Sequence, residues 1–470
     1  MLARRSKAKE AVPRPLLSYK QALAWLYGLQ RFGIKLGLDN IRRLLNQLSR
    51  SGGFQAAVGD LDIALPSKVI HVAGTNGKGS VCAIIDSICR AQGYRTGLFI
   101  SPHLVTFRER IRVNGEMISE DAVADGLTII RDLVADWDPH PTFFEVTTAL
   151  ALKHFGDPVE REAKHDSVQV PSPSPLPSSR WERIKVRGFS ADRHQLDVVI
   201  LETGLGGRLD ATNAVQSYVT VITPIGLDHE ELLGHTLAEI AGEKAGIIKP
   251  AVPVVSAPQQ PQAEEVIRAR AAECGSPVQF VNETYHSSPV ALRGEYQKQN
   301  AAVAIAAIHA TNIQLGERAI VRGLAAIEWP ARFQKWDERT IIDGAHNPAA
   351  VRALVQTWRE VFGDQKATLV LAVLSDKDLR GICEALAPIA GSAILPKIRG
   401  ERAVAPAELA KIFSIISPSL PHSISSTIGD ALMLARANPN PILITGSLHF
   451  AGEVLAYLRG EPAAFEECAQ

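Results

Sequence analysis

The stretch HVAGTNGKGS, residues 71–80, decides the fold because it places a glycine-rich turn between two regular elements. A β-type apolar run at 69–72 precedes the turn, and apolar residues at helical spacing occupy 81–89, which predicts strand, tight loop and helix. The three glycines allow backbone amides to turn inward around an anion, and the helix directs its N-terminal dipole to the same point. The sequence therefore predicts a phosphate-binding loop.

Two side chains of this loop strengthen the prediction. Lys78 adds a mobile positive charge, and Ser80 adds a hydroxyl that can bind Mg²⁺. The spacing differs from the standard P-loop, because Gly74 and Gly77 are only three residues apart. A glycine-rich turn without a ligand is the alternative, but Gly-Lys-Gly-Ser between a strand and a helix favours a nucleotide phosphate.

The rest of the chain alternates between β-type runs and helical patterns, after a helical region at 17–48. This alternation predicts an α/β fold with a mostly parallel sheet. Strands are predicted at 96–100, 197–201, 218–223, 253–256, 340–343, 368–373, 392–395 and 441–445. Helices are predicted at 145–155, 348–361, 379–390 and 405–413.

Two domains are expected from this pattern. Residues 1–329 are expected to form a P-loop nucleotide-binding domain, 330–334 a linker in which Pro330 disfavours helix continuation, and 335–470 a smaller Rossmann-like α/β domain. Residues 157–195 are polar, rich in proline and without periodicity, so we interpret them as a mobile surface insertion.

Composition excludes several classes of protein. The 470 residues contain 50 Lys plus Arg and 50 Asp plus Glu, so the formal net charge is zero. Proteins that bind nucleic acid or membrane surfaces usually carry a basic excess, and we expect neither partner here. The apolar runs are too short for a membrane span, and no apolar core follows the basic N-terminus. We expect a cytoplasmic monomer that acts on small molecules.

Further polar side chains follow the predicted strands, at the edge where open α/β sheets bind ligands. Glu202 ends one strand and is suited to bind Mg²⁺ opposite a P-loop, because hard cations prefer oxygen ligands. His229 follows the next strand, Lys244 lies on the helix after it, and Asp343 ends a strand of the second domain. Each has a structural alternative: a salt bridge, a core histidine, a solvated helix lysine or a capped turn.

Ten motifs in the same order resemble the folylpolyglutamate synthase/dihydrofolate synthase family, which belongs to the Mur-ligase-like amide ligases. The resemblance covers most of the chain, and the 157–195 insertion has no counterpart in the family pattern. The motifs are KLGLDNI (35–41), the P-loop, SPHLVTFRERIRVNG (101–115), FFEVTTALAL (143–152), LETGLGGRLDATN (201–213), the GLDH to EKAGIIK run (226–249), EYQKQNAA (295–302), DGAHNP (343–348), SDKD (375–378) and GSLHFAGE (446–453).

The resemblance implies an ATP- and Mg²⁺-dependent ligase that joins L-glutamate to a folate carboxylate through an acyl phosphate. It implies catalytic roles for Lys78, Lys244 and His346. It implies ATP contacts at Thr75, Asn76, Gly77, Lys78, Gly79, Ser80, Asn300, Arg332 and Asp343. It implies metal ligation by Ser101, Glu202, His229 and Lys244, with two Mg²⁺ ions and a carbamylated Lys244. It implies folate or pteroate contacts at Thr142, Phe143, Phe144, Glu145 and Asp210, and glutamate contacts at His346 and Ser447.

Three other classes of protein stay open at this point. A peptidoglycan-type Mur ligase would share the chemistry but usually carries a UDP-substrate domain, for which about 70 residues before the P-loop leave little room. A P-loop nucleotide-binding protein without ligase activity would not need Glu202, His229 and Asp343. A small-molecule kinase is disfavoured because the second α/β domain would have no clear function in it. The sequence leaves the acceptor, dihydropteroate or a tetrahydrofolate, undecided.

Overall fold

Fifteen helices and sixteen strands are described in a computed structural model of the chain. The structure describes residues 15–156, 195–462 and 465–466, apart from 34, 36, 51–56, 59–62 and 66. The insertion predicted at 157–195 lies almost entirely outside the described residues.

The larger first part of the chain, up to residue 329 and here called the first half, contains ten strands and ten helices among these residues. The strands are β1 (Ala57–Val58), β2 (Ile63–Ala64), β3 (Lys68–Ala73), β4 (Thr96–Phe99), β5 (Ile111–Val113), β6 (Glu116–Met117), β7 (Val198–Glu202), β8 (Val219–Ile222), β9 (Val254–Ser256) and β10 (Val278–Phe280). The helices are α1 (Tyr19–Gly28), α2 (Asp39–Arg50), α3 (Lys78–Gln92), α4 (Glu120–Leu133), α5 (Phe143–Gly156), α6 (Glu230–Leu233), α7 (Leu237–Ala245), α8 (Pro261–Glu273), α9 (Glu295–Ala310) and α10 (Glu317–Ala326).

The described residues from 330 onwards, here called the second half, form a smaller unit in which strands and helices also alternate. Its strands are β11 (Gln334–Lys335), β12 (Thr340–Ile342), β13 (Ala367–Leu371), β14 (Ala390–Pro396), β15 (His422–Ser425) and β16 (Ile442–Thr445). Its helices are α11 (Pro348–Phe362), α12 (Leu379–Leu386), α13 (Pro406–Ile416), α14 (Ile428–Ala437) and α15 (Leu448–Leu458).

An eight-stranded sheet, in the order β10-β9-β8-β3-β7-β4-β5-β6, forms the centre of the first half. Its strands are parallel except for the β4–β5 and β5–β6 pairs. Strand β7 is typical of a central strand in a parallel sheet. All five residues of its sequence VVILE are buried, as expected for a strand with helices on both faces of the sheet. Helices α3 and α9 pack over one face, while α2 and α5 contribute to the core on the other.

The second sheet has six strands in the described chain, in the order β11-β12-β16-β13-β14-β15, and only β11 is antiparallel to its neighbour. The predicted α/β class with mostly parallel sheets is therefore confirmed. The predicted strand, loop and helix around residues 71–80 are confirmed as β3 and α3, and Asn347 caps α11 with Pro348 at its first position, as the Asn-Pro pair predicts.

Several predicted bounds are wrong. The helix predicted at 379–390 ends at Leu386, because Pro388 lies in a short 3₁₀ turn and β14 begins at Ala390. The hairpin β5–β6 was not predicted, although Asn114-Gly115 is a strong hairpin signal and both residues have positive φ, 52° and 84°. Strands β10, β11 and β15 are short and were also missed.

The two halves meet where the loop after β4 contacts α15. Leu104 and Val105 pack in an apolar cluster that otherwise consists of second-half residues, such as Phe450 and Val454. The backbone of this loop approaches Gly452 so closely that an added Cβ would lie 1.9 Å from the Leu104 carbonyl oxygen. A side chain at position 452 would therefore force the two surfaces apart.

We predict that Gly452→Ala destabilises the protein by about 1–3 kcal/mol, the range for overpacking a close contact. Gly242→Ala is the matched control, because Gly242 also lies in a helix but has open space around it. That change should stabilise slightly, by up to about 1 kcal/mol. Thermal unfolding of both variants checks the prediction, and equal stability of the two would contradict it.

Candidate active site

A cavity of about 360 Å³ lies where the carboxyl ends of the two parallel sheets face each other. Residues from both halves of the chain line it. Those predicted from the sequence are Thr75, Asn76, Gly77, Lys78, Gly79, Ser80, Ser101, Glu202, His229, Lys244, Asn300, Arg332, Asp343, His346 and Ser447. The predicted nucleotide, metal and glutamate positions therefore line one space.

The P-loop, residues 74–80, is held in shape by the segment after β8. The amides of Thr75 and Asn76 donate to the Pro224 carbonyl at 3.0 and 3.2 Å. Gly74 has a φ of +146°, and an added Cβ would lie 1.9 Å from Thr223 Oγ1. Gly77 has a φ of +90° and immediately precedes α3 as its N-cap residue, so only glycine fits both positions without strain. The turn presents the N-terminus of α3 to the cavity, which suits a phosphate.

Glu202 and Ser101 come from neighbouring strands of the first sheet. The Ser101 amide donates to Glu202 Oε2 at 3.1 Å, and burial raises the pKa of this carboxyl while Lys78 opposes the shift. Ser101 Oγ is buried and, in the described part of the chain, has no hydrogen-bond partner. An orphaned buried hydroxyl beside a buried carboxylate is costly unless a further group satisfies it.

His229 and Lys244 complete this side of the cavity. Burial, assisted by Lys377, lowers the pKa of His229 to about 4, so the imidazole is neutral near pH 7. Lys244 is 5% exposed, and its Nζ donates to the Gly74 carbonyl at 3.0 Å. Burial and the nearby Lys78 charge lower the pKa of Lys244 to about 7.

These donors fit a magnesium ion that also binds nucleotide phosphates. The described residues contain no ready-made group of three or more His, Cys, Asp or Glu side chains for a metal. Mg²⁺ does not need one, because it usually takes one or two carboxylates and completes its shell with water and phosphate oxygens. The Ser101 hydroxyl, the Glu202 carboxylate and the neutral His229 imidazole are suitable protein donors.

Asp343 lines the cavity, but its carboxylate is occupied by backbone amides. Oδ2 accepts from the Phe333 amide at 2.7 Å, and Oδ1 accepts from the Ala345 amide at 2.8 Å. It thereby ties the segment that connects the two sheets to the first turn of the second. Asn300 Nδ2 likewise donates to Gln297 Oε1 at 2.9 Å, one helical turn away.

His346 and Ser447 lie on the second-half wall of the cavity. His346 Nδ1 donates to the Gly344 carbonyl at 2.8 Å, so in the neutral ring Nε2 carries no proton. Burial lowers the pKa of His346, and Nε2 lies 4.0 Å from Asp228 Oδ2. Ser447 caps α15 and accepts from the Phe450 amide at 3.0 Å.

The predicted folate positions do not line this cavity. Glu145 caps its own helix by accepting from the Thr142 amide and hydroxyl at 2.8 and 2.9 Å. Asp210 accepts from the amides of Gly204 and Leu205, both at 2.9 Å, and from Thr212. The Phe144 ring packs on Gly204, where an added Cβ would lie 2.4 Å away. Phe144 and Asp210 therefore support Gly204 and Leu205, which line the cavity, while Thr142, Phe143 and Glu145 lie at the start of α5.

Two contacts between the halves were not predicted. Lys377 Nζ lies 2.9 Å from Asp228 Oδ1, with both side chains less than 10% exposed. Asn347 Nδ2 donates to Asn76 Oδ1 at 3.0 Å, which joins the start of α11 to the P-loop. Burial acts to raise the pKa of Asp228, but His229 and Lys377 outweigh it and hold it below its usual range. The only sequence signal was motif membership: Asp228 falls in GLDH, Lys377 in SDKD, Asn76 in the P-loop and Asn347 in DGAHNP.

Comparison with known proteins first defines the class. Residues 331–448 match the family model described as "Mur ligase, glutamate ligase domain". The chain is 32% identical to the dihydrofolate synthase/folylpolyglutamate synthase of Bacillus subtilis, over 94% of this chain and 99% of that protein. The second half of the chain therefore contains the glutamate ligase domain of Mur ligases. Nearly the whole chain is similar to a folate-linked ligase.

Solved structures agree with this assignment. The Escherichia coli FolC structure in complex with DHPP and ADP has a TM-score of 0.75 at 28% identity, covering 97% of this chain and 99% of that one. The Yersinia pestis bifunctional folylpolyglutamate synthase/dihydrofolate synthase, complexed with AMPPNP and Mn ion, has a TM-score of 0.76 at 29% identity, covering 95% and 100%. The chain belongs to the folylpolyglutamate synthase/dihydrofolate synthase family.

No helix in the described residues is both long and apolar enough to cross a membrane. Family membership favours a folate-linked ligase over the peptidoglycan-type Mur ligase, the P-loop nucleotide-binding protein without ligase activity and the small-molecule kinase that the sequence left open.

We predict that Lys377→Met lowers the free energy of unfolding at pH 7 by about 3–5 kcal/mol, because it leaves the buried Asp228 carboxylate without its nearest cation. Lys298→Met is the control, since it breaks an ion pair with Glu295 whose side chains are each 41% exposed. That change should cost about 0–1 kcal/mol. Urea denaturation measures both, and a similar cost for the two variants would contradict a buried pair between the halves.

Proposed function

We propose that this chain is an ATP-dependent ligase that joins L-glutamate to a folate-type carboxylate through an acyl phosphate. The observation that carries the proposal is the shared cavity. A P-loop with Glu202 and Ser101 faces Arg332, His346 and Ser447 from the second half of the chain. A nucleotide triphosphate, an acceptor carboxylate and an amino acid can meet there.

The reaction has two steps. An acceptor carboxylate oxygen attacks the γ-phosphorus of ATP, and the bond to the bridging oxygen breaks so that ADP leaves with the electron pair. The glutamate nitrogen then attacks the acyl carbon, the bond to the phosphate oxygen breaks, and inorganic phosphate leaves. The product is an amide, and the amine loses its protons to base or solvent.

The P-loop residues hold the phosphates in this scheme. The amides of residues 75–80 and the Lys78 ammonium surround negative charge that accumulates as the phosphoryl group moves. Arg332 and Asn300 contact the nucleotide, whereas Asp343 keeps Arg332 and its segment in place through the Phe333 amide. This assignment makes Asp343 a positioning residue for ATP.

Metal binding is proposed at the donors on the first-half wall. Ser101, Glu202 and His229 bind one Mg²⁺, and Lys244 in carbamylated form helps to place a second. Bound Mg²⁺ neutralises phosphate charge and polarises the γ-phosphoryl group. The Mn ion in the Yersinia pestis structure supports a divalent cation in this family.

Lys244 is suited to carbamylation. Its pKa of about 7 leaves a large neutral fraction near neutral pH, and the neutral amine attacks CO₂ to form a carbamate and release a proton. An unmodified ammonium beside Mg²⁺ would be repelled, since even two unit charges about 4 Å apart cost about 4 kcal/mol at an effective dielectric of about 20. The carbamate reverses the sign and supplies oxygen donors.

His346 and Ser447 are proposed for the glutamate side. Nε2 of His346 is free of a proton in the neutral ring and faces Asp228, so it can accept a proton from the incoming ammonium. Asp228 stabilises the imidazolium that results. The acceptor side is proposed to be shaped by Phe143, Phe144 and the turn at Asp210. Of these, Phe144 packs on Gly204, and Asp210 accepts from the Gly204 amide.

The acceptor is a folate-type carboxylate: dihydropteroate, a tetrahydrofolate or both. The Bacillus subtilis relative is named for both dihydrofolate and folylpolyglutamate synthesis, which supports either acceptor. We propose that the partners are small molecules only and that the chain acts as a cytoplasmic monomer.

The direct test is an assay with ATP and radiolabelled L-glutamate, offering dihydropteroate and tetrahydrofolate in parallel. We expect amide formation with at least one acceptor, and phosphate release that requires both glutamate and acceptor. Lys78→Met is the matched inactive variant. Phosphate release without glutamate, or no product with either acceptor, would contradict the proposal.

We predict that Lys244→Ala abolishes ligation, and that bicarbonate or a short carboxylic acid restores part of it. Trapping of the carbamate from ¹³C-labelled CO₂ should increase as the pH rises through about 7, because the neutral amine is the reactive form. Mass spectrometry of the trapped protein measures the label. Full activity of Lys244→Ala without additives would contradict the carbamate.

A further inference from the structure

The segment 465–466, here called the Glu466 segment, lies against the loop 101–107 that follows β4, here called the Ser101 loop. The Glu466 amide donates to the Val105 carbonyl at 2.8 Å. The Glu466 carbonyl accepts from His103 Nε2 at 3.1 Å. A residue far along the chain thus forms backbone contacts on both sides of Leu104.

The Glu466 carboxylate gathers three donors from the first half of the chain. Tyr19 Oη on α1 donates at 3.1 Å, Thr106 Oγ1 at 3.1 Å and the Phe107 amide at 2.5 Å. Hydrogen bonds to a charged carboxylate are about twice as strong as neutral ones. This one side chain therefore joins α1 to the end of the Ser101 loop.

The neighbouring Phe465 anchors the segment to the second half. Its side chain is 7% exposed and packs in the same apolar cluster as Val105 and Phe450. The Phe465 ring meets the His449 ring edge to face, with centroids 5.1 Å apart. His449 lines the cavity on α15. The Glu466 segment therefore bridges the Ser101 loop and the helix that Ser447 caps.

The hydrogen-bond directions through His103 are fixed by its neighbour. Arg110 Nε donates to His103 Nδ1 at 2.9 Å, and a guanidinium nitrogen cannot accept. His103 therefore carries its proton on Nε2 and donates it to the Glu466 carbonyl. The buried Arg110 guanidinium also lies 5.3 Å from the Phe143 ring centroid, so the contact extends towards the acceptor-side helix α5.

Two glutamates, Glu109 and Glu466, accept hydrogen bonds from the Ser101 loop, and they stabilise different features of it. Glu109 accepts from the amides of Leu104 and Val105 at 2.8 and 2.9 Å, which sets the internal shape of the loop. Glu466, beside the buried Phe465, holds the end of this loop from the second half of the chain, in addition to the direct packing of Leu104 on Gly452. Ser101, only two residues before His103, places its amide on Glu202 and its orphaned hydroxyl in the candidate metal site.

We propose that Glu466 is a positioning residue for the ligase reaction, acting through the Ser101 loop to place the Ser101 hydroxyl at the divalent cation that accompanies the nucleotide. The proposal rests on the proposed function, because the metal role of Ser101 belongs to it. Sub-ångström displacement of the loop would lengthen a cation–oxygen bond, and Mg²⁺ demands near-ideal geometry at about 2.0–2.1 Å.

The test compares Glu466→Ala and Glu466→Gln with Glu461→Ala, a matched control at an exposed position close to the segment. Binding of Mn²⁺ in the presence of AMPPNP is followed by electron paramagnetic resonance, beside thermal unfolding and ligase kinetics. We expect Glu466→Ala to bind Mn²⁺ about tenfold more weakly and to lower kcat more than it changes the KM for glutamate. Glu466→Gln should recover part of the loss, because its amide oxygen still accepts from Tyr19 or Thr106.

Every outcome decides between a positioning role and a purely structural one. Lower thermal stability with unchanged Mn²⁺ binding would overturn the proposal, as would two variants that behave like Glu461→Ala. If Glu466→Ala does not fold, the nearly isosteric Glu466→Gln decides. Wild-type protein that binds no Mn²⁺ with AMPPNP would instead count against the proposed function, so the two failures are distinguishable.

Discussion

The site depends on one constraint: the carboxyl ends of two separate parallel sheets must face each other across the cavity. The Asn76–Asn347 contact joins the P-loop to the start of α11, and the buried Asp228–Lys377 pair lies beside it. A buried charge that loses its partner is strongly destabilising. The Asp228–Lys377 pair therefore favours the arrangement in which the two halves are in contact over one in which they are separated. Without that alignment the P-loop would have no second wall, and an acyl phosphate formed there would be exposed to water.

The zero net charge of the chain conceals a local imbalance that suits the substrates. The lining of the cavity carries five Lys or Arg side chains, Lys78, Lys244, Arg332, Lys377 and Arg402, against the carboxylates of Glu202, Asp228 and Asp343. ATP and two substrate carboxylates bring more negative charge than this excess neutralises. Under the proposed function, divalent cations would supply the remainder, and carbamylation of Lys244 would change a cation that repels them into a ligand that holds them.

The sequence predicted the parts of this site that local patterns determine. The P-loop was predictable because its glycine spacing follows from contacts within a strand, turn and helix. The Asp228–Lys377 pair was not, because 149 residues separate its members and only the packing of two sheets brings them together. The sequence does not reveal that the Asp210 carboxylate accepts from backbone amides, or that Glu145 accepts from the Thr142 amide and hydroxyl. Their expected contacts with substrate stay predictions. Glu466 lies outside every motif, and only the folded chain shows its contacts.

The proposed function depends most on one step, in which an acceptor carboxylate is activated as an acyl phosphate before glutamate attacks. The most direct measurement uses an acceptor whose carboxylate oxygens carry ¹⁸O, with ATP and L-glutamate, and mass analysis of the inorganic phosphate released. We expect one ¹⁸O atom in each phosphate, because the oxygen that attacks the γ-phosphorus leaves with it. Phosphate free of ¹⁸O, accompanied by normal amide formation, would contradict an acyl phosphate intermediate.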